Sequence, residues 1–135
     1  MAVTPITVKR ELYADFHKDL TENPVNFDLA RKINEEAVKE SIKNLILTDR
    51  GERPFQPKLG SNIRAVLFDT VTPAITETVR EMISDTIRNY EPRANLINVE
   101  VTGDVDTNGI KATVTFNVIN SEEPITLEAT LNRVR

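Results

Sequence analysis

Cysteine and tryptophan are absent from these 135 residues, and histidine occurs once. Without cysteine there is no disulfide framework, no thiolate metal site and no cysteine nucleophile, and one imidazole leaves no zinc cluster of the usual His/Cys type. The expectation is no cofactor and no metal. Aromatics amount to 5%, and Lys and Arg are scattered singly or in pairs, not in the basic stripe with interleaved aromatics that nucleic-acid binding requires. No apolar run exceeds Ala65-Val66-Leu67-Phe68, the opening MAVTPITVKR lacks a basic-then-apolar layout, and there is no Asn-x-Ser/Thr sequon. Neither membrane spanning nor secretion is expected, and a reducing cytoplasm is the simplest home. The GxSxG, Walker A, GxGxxG and HExxH patterns are missing too, so no small-molecule substrate is indicated.

What is present suits one domain. A 15.2 kDa chain with 39% apolar and 28% charged residues can bury a single core. The net charge of -4 is uneven: residues 1–67 hold 11 basic and 10 acidic side chains, residues 68–135 hold 6 and 11. An acidic second half repels phosphate backbones.

Residues 1–26 show no sustained period and read as an N-terminal arm, with a single domain over 27–135. Phe27, Leu29, Arg31 and Ile33 alternate with Asp28, Ala30 and Lys32, which predicts a short half-buried strand. Asn34 offers an N-cap oxygen, Glu35 and Glu36 suit the positive end of a helix, and Val38, Ile42, Leu45 and Ile46 fall at helical spacing, predicting a helix over 35–47. Gly51 reads as a left-handed exit from it, and Glu52 to Gly60, with two prolines, as a loop. Short helical character can resume over 62–68. Thr72 caps a third helix with Pro73 at its first position, and Ile75, Val79, Met82, Ile83, Ile87 and Tyr90 form its stripe. Pro92 ends it at Tyr90 or Glu91.

The remainder reads as a β-meander. Asn108-Gly109 suits a two-residue hairpin turn, which would set Val105 against Ala112, Val101 against Phe116 and Val99 against Val118, with a bulge at Gly103. A turn over Ser121–Pro124 leads to Ile125, Leu127, Ala129 and Leu131. The fold class is therefore α+β, a two-layer domain with helices on one face of an antiparallel C-terminal meander.

Catalytic readings find little support. The pairs Glu35-Glu36 and Glu122-Glu123 suit a helix first turn and an exposed turn, and His17 has no Ser or Asp pattern beside it. No catalytic residue is assigned. Glu91-Pro92-Arg93 stands out, because Glu91 sits at the negative end of a helix. With Pro92 stiffening the chain, Glu91 and Arg93 either project as an acid-base doublet toward a partner or simply neutralise each other at the corner. A three-stranded meander also leaves two edges. Either an edge accepts a strand from another chain, or the 27–33 strand or the N-terminal arm covers it; Arg133 and Arg135 close the last strand as ordinary surface charge or as part of an open edge.

Gly51-Glu-Arg-Pro-Phe-Gln-Pro-Lys-Leu-Gly60, Leu67-Phe68, Thr72-Pro73 and Arg88-Asn-Tyr-Glu-Pro-Arg93 together resemble the baseplate-wedge, sheath-initiator family of contractile-tailed phages. Relatives occur in type VI secretion baseplates, and the family is sometimes labelled lysozyme-like. The resemblance covers roughly residues 35–135, with Lys58-Leu59 where relatives often carry an acidic-aromatic pair. It implies a non-enzymatic virion structural protein of the tail baseplate, assembled in the host cytoplasm. It also implies that Glu91, Pro92 and Arg93 dock on wedge core proteins and that the sheet accepts strands from tail sheath subunits. Arg53, Pro54 and Phe55 are the further loop candidates. The alternative it carries is a peptidoglycan-cleaving, lysozyme-like hydrolase; a small adaptor for an acidic or amphipathic partner is a third reading.

Overall fold

Alternating apolar and polar residues in the C-terminal third, preceded by two amphipathic helical stretches, produce a helix-on-sheet arrangement. The structure, a computed structural model, describes residues 10–68, 71–104, 106 and 109–132. Its elements run β1 (Ala14–Phe16), β2 (Arg31–Ile33), α1 (Glu35–Leu47), α2 (Ile63–Val66), α3 (Pro73–Tyr90), β3 (Ala94–Asp104), β4 (Gly109–Val118) and β5 (Pro124–Asn132). The α+β class expected from the sequence is the one observed. The chain divides into two compact units, residues 1–37 and 38–135.

In the larger unit the sheet order is β3-β4-β5, antiparallel throughout. Ile110, Ala112, Val114, Phe116 and Val118 of β4 and Leu127, Ala129 and Leu131 of β5 are buried, while alternate residues such as Lys111, Glu128 and Thr130 face outward. On α1, Val38, Ile42, Leu45 and Ile46 form the buried stripe; on α3, Val79, Ile83, Thr86 and Ile87 do so, and α3 lies against β3. Thr72 caps α3 by accepting from Ile75 N (3.4 Å), with Pro73 at the first helical position, as its sequence requires.

The hairpin register corrects the expected one. Val101 opposes Ala112 and Val99 opposes Val114, while Leu96, not Val101, opposes Phe116. Gly109 pairs with Asp104 inside the ladder, so four residues join the strands instead of two. Val105 and Asn108 lie outside the described residues. Between the turn and the bulge the shift is by an even number of residues, so Val99 and Val101 keep their face and burial there could not tell the two registers apart; beyond the bulge the offset becomes odd, which brings Leu96 opposite Phe116. The bulge falls between Leu96 and Asn98, not at Gly103. Gly103 instead makes room for a neighbour, because a Cβ there would collide with Val71 Cγ1. The following turn also comes early: Ser121 N donates to Val118 O (2.8 Å) around Asn120, whose φ is 74°.

In the smaller unit, β1 and β2 form their own antiparallel ribbon, pairing Ala14 with Ile33 and Phe16 with Arg31. The arm expected to lack regular structure thus contains a strand. The predicted 27–33 strand begins only at Arg31, because Phe27 takes a left-handed conformation (φ 55°) in the turn before it, and Phe27, Leu29 and Ile33 are exposed instead of half-buried. Asn34 does not act as the expected N-cap. With φ 48° its side chain turns back, Oδ1 accepting from Leu12 N (2.9 Å) and Tyr13 N (3.4 Å) while Nδ2 donates to Arg10 O (3.2 Å).

Candidate functional site

Pro92 sets the geometry of the corner. It excludes helical conformation at the preceding residue, so Glu91 leaves α3 at φ -125°, ψ 78°, its N–H still donating to Ile87 O at 2.9 Å. Ala94 N then donates to Glu91 O (3.2 Å), closing a β-turn with proline at its favoured second position. Ile119 N donates to Arg93 O (2.9 Å), joining the corner to the sheet.

The turn folds Arg93 back over Glu91. Nε donates to Oε1 at 2.6 Å and Nη2 to Oε2 at 2.9 Å, a two-pronged charge-assisted contact. Ser41 of α1 donates to Oε2 at 2.5 Å. The Glu91 side chain is 2% exposed and that of Arg93 33%. Burial pushes the Glu91 carboxyl up, but the Arg93 fork and the Ser41 hydroxyl outweigh it and hold the group below the usual carboxylate range. Glu91 therefore faces inward and joins α1, α3 and the sheet, while Pro92 is exposed. The disfavoured acid at the helix C-terminus is accounted for by this clamp.

Of the two arrangements the sequence left open, the pair has the closed one, with Arg93 retaining partial exposure. Ser41 was not identified from the sequence. Its partner lies 50 residues away, and a serine in an amphipathic helix carries no local signal of such a contact. A glycosidase general acid needs a raised carboxyl pKa, the opposite of what Glu91 has. Among the described residues no group of three or more His, Cys, Asp or Glu side chains could hold a metal.

The loop candidates sit on a second proline turn. Gln56 N donates to Arg53 O (3.2 Å), placing Pro54 and Phe55 at the tip, and Gly51 N donates to Pro57 O (2.8 Å) beneath it. Gly51 has the expected left-handed φ of 87°, but it lies in this loop, four residues beyond the end of α1. At the base, Ser61 N donates to Thr48 O (3.0 Å) and Ser61 Oγ to Ile46 O (2.6 Å). Gly60 (φ 128°) packs so closely that a Cβ would lie 2.5 Å from Thr48 O. Tyr90, the residue before Glu91, donates its hydroxyl to Lys58 O at 2.7 Å. The loop is thereby tied to the end of α3 that bears the corner. Arg53, Pro54 and Phe55 are all exposed.

Both outer strands of the larger sheet lack a further strand among the described residues, since β1 and β2 pair with each other. β5 pairs with β4 without interruption from Pro124 to Asn132, whereas β3 is broken by its bulge. Arg133 and Arg135 lie outside the described residues.

Comparison with known proteins agrees with this architecture. The sequence is 31% identical over 115 residues to Baseplate wedge protein gp25 of Enterobacteria phage T4, covering 85% of this chain and 86% of the relative. A Geobacter sulfurreducens protein named for a tail lysozyme shares the fold with a TM-score of 0.68 at 20% identity, over 75% of this chain and 92% of that one. A chain of the anti-feeding prophage baseplate does so with a TM-score of 0.63 at 18% identity, over 91% of this chain and 87% of its own. Residues 33–123 match the family described as Baseplate wedge protein gp25. With two thirds of its length inside that match, the chain belongs to the baseplate wedge protein gp25 family.

Proposed function

We propose that this chain is a structural, non-enzymatic component of a contractile-tail baseplate. It is held by wedge core proteins at the Glu91-Pro92-Arg93 corner and holds tail sheath subunits by strand addition at the outer edge of β5. The family match over residues 33–123 carries this reading. The geometry supports it in two ways. The clamp fixes the direction of Pro92 and of the exposed part of Arg93, so a partner meets a surface whose ordering cost is already met in the free protein. The uninterrupted β5 presents a regular row of backbone donors and acceptors, the feature that strand addition uses. Glu91 then acts from inside, positioning Arg93.

Tail particles assembled with the chain carrying both Glu91→Ala and Arg93→Ala test the corner. The protein is expected to remain folded by circular dichroism yet to be missing from purified tails by mass spectrometry. Pro92→Ser, which keeps both charged side chains of the clamp but loosens the turn between them, is expected to reduce incorporation as well. Normal incorporation of both variants would refute docking through the corner, and absence of the unaltered chain from tails would refute the whole reading.

A further inference from the structure

Phe55 is 98% exposed, at the tip of a loop whose hydrogen bonds all serve to hold that tip in place. Single exposed apolar residues are common on protein surfaces. What sets this one apart is its mounting. Pro54 fixes the second position of the turn, Gln56 N and Gly51 N close two nested rings around it, and Tyr90 ties the far side of the loop to α3. Loop tips are ordinarily polar; here a rigid turn presents a phenyl ring to water.

The charge of the surrounding segment is mainly positive. Between Asp49 and Arg64 the chain carries Arg50, Arg53, Lys58 and Arg64 against Asp49 and Glu52, a basic patch on a protein of net charge -4. Asp49 is engaged by Arg64 at 3.3 Å, and Glu52 Oε2 accepts from Asp49 N at 3.0 Å, so both acids are turned to the loop base. Arg53, the first residue of the turn, and Lys58 carry no ion pair among the described residues.

We infer that Phe55 is an anchor that inserts into an apolar socket with an acidic rim on a neighbouring baseplate protein, with Arg53 and Lys58 meeting the rim. This rests on the baseplate reading and adds a second contact to the corner. Aromatic anchors seated in preformed pockets dominate binding energies at protein interfaces, and opposite charge around them steers the encounter. Tyr90 acts as a strut, keeping loop and corner in a fixed relation so that one partner surface can engage both. Nucleic acid would stack bases on several aromatics along a basic stripe, whereas here one phenyl ring stands beside two cations on a chain of net charge -4.

The test uses tails assembled with the full chain. A photo-crosslinking benzoylphenylalanine at position 55 is expected to join one other tail protein, at a peptide containing apolar side chains flanked by Asp or Glu. Phe55→Ala is expected to lower incorporation into tails roughly 10- to 100-fold with an unchanged melting curve, and Phe55→Leu to retain most of it. Arg53→Glu is expected to reduce incorporation further as salt is lowered. Three results overturn the inference: wild-type incorporation of Phe55→Ala, a cross-link to nucleic acid alone, or no cross-link at all. If Phe55→Ala assembles normally while the Arg93 variants do not, the anchor falls and the corner stands; if the unaltered chain is missing from tails, both fall.

Discussion

Arg93 neutralises a carboxylate that is almost wholly withdrawn from water, so its removal leaves Glu91 buried with Ser41 as its one side-chain donor among the described residues. Because Arg93 is a third exposed, Arg93→Ala is expected to cost about 2 kcal/mol, below the 3–5 kcal/mol of a fully buried pair, and Ser41→Ala about 1 kcal/mol. Equilibrium urea unfolding checks both. The pH dependence follows from the lowered Glu91 pKa. On acidification the unfolded chain takes up the proton first. The contribution is therefore complete above the ordinary carboxylate value of about 4.3 and is lost as pH falls through the lower folded value. Glu91→Gln is expected to reduce the loss of stability between neutral and acidic pH; an acid limb identical to that of the wild type would show that the clamp contributes nothing. The corner was legible in the sequence because Pro92 dictates both a helix stop and a turn. The inward direction of Glu91 was not, since it depends on a serine 50 residues earlier.

At the scale of elements, the glycines of the 48–61 loop separate strain from collision. Gly51 has φ 87° with open space where a Cβ would go, so Gly51→Ala is expected to cost only the strain of a left-handed alanine, about 1 kcal/mol. Gly60 combines φ 128° with backbone atoms of Thr48 and Asp49 at 2.5 and 2.9 Å, and Gly60→Ala is expected to cost about 3 kcal/mol. Denaturant unfolding of the two variants should keep that order, and equal costs would mean the loop base yields. Helix α3 was legible because stripe, cap and proline all speak locally, and α1 because its apolar stripe and its acidic first turn do. The β3-β4 register was not, because an even shift satisfies the same alternation, and only the pairing of Asp104 with Gly109 distinguishes a four-residue connection from a two-residue one. Asn34 misled for a related reason: an asparagine before a helix suits a cap, but its side chain can equally bond a distant backbone segment.

For the whole molecule, backbone accounting sets the central strand apart from the outer two. β4 is paired on both sides, while β3 and β5 each have one side of the ladder without a partner strand among the described residues. The bulge between Leu96 and Asn98 breaks the regular spacing on β3, and bulges are one way proteins discourage pairing at an edge. The nine residues of β5 have no such interruption, and Thr126, Glu128 and Thr130 keep their side chains on the exposed face, clear of the edge itself. Hydrogen exchange should register this asymmetry. In the isolated protein the amides of β4 are expected to be the slowest of the sheet, and those of β5 that do not pair with β4 to exchange quickly. In assembled tails the fast amides over 125–132 are expected to slow roughly tenfold or more as a sheath strand pairs with them, while outward amides of β3 around the bulge change little. Slowing confined to β3 would move the acceptor edge to the opposite side of the sheet. Unchanged exchange at both edges would leave the chain attached to its partners by side chains alone, with main-chain pairing no part of how it holds the sheath.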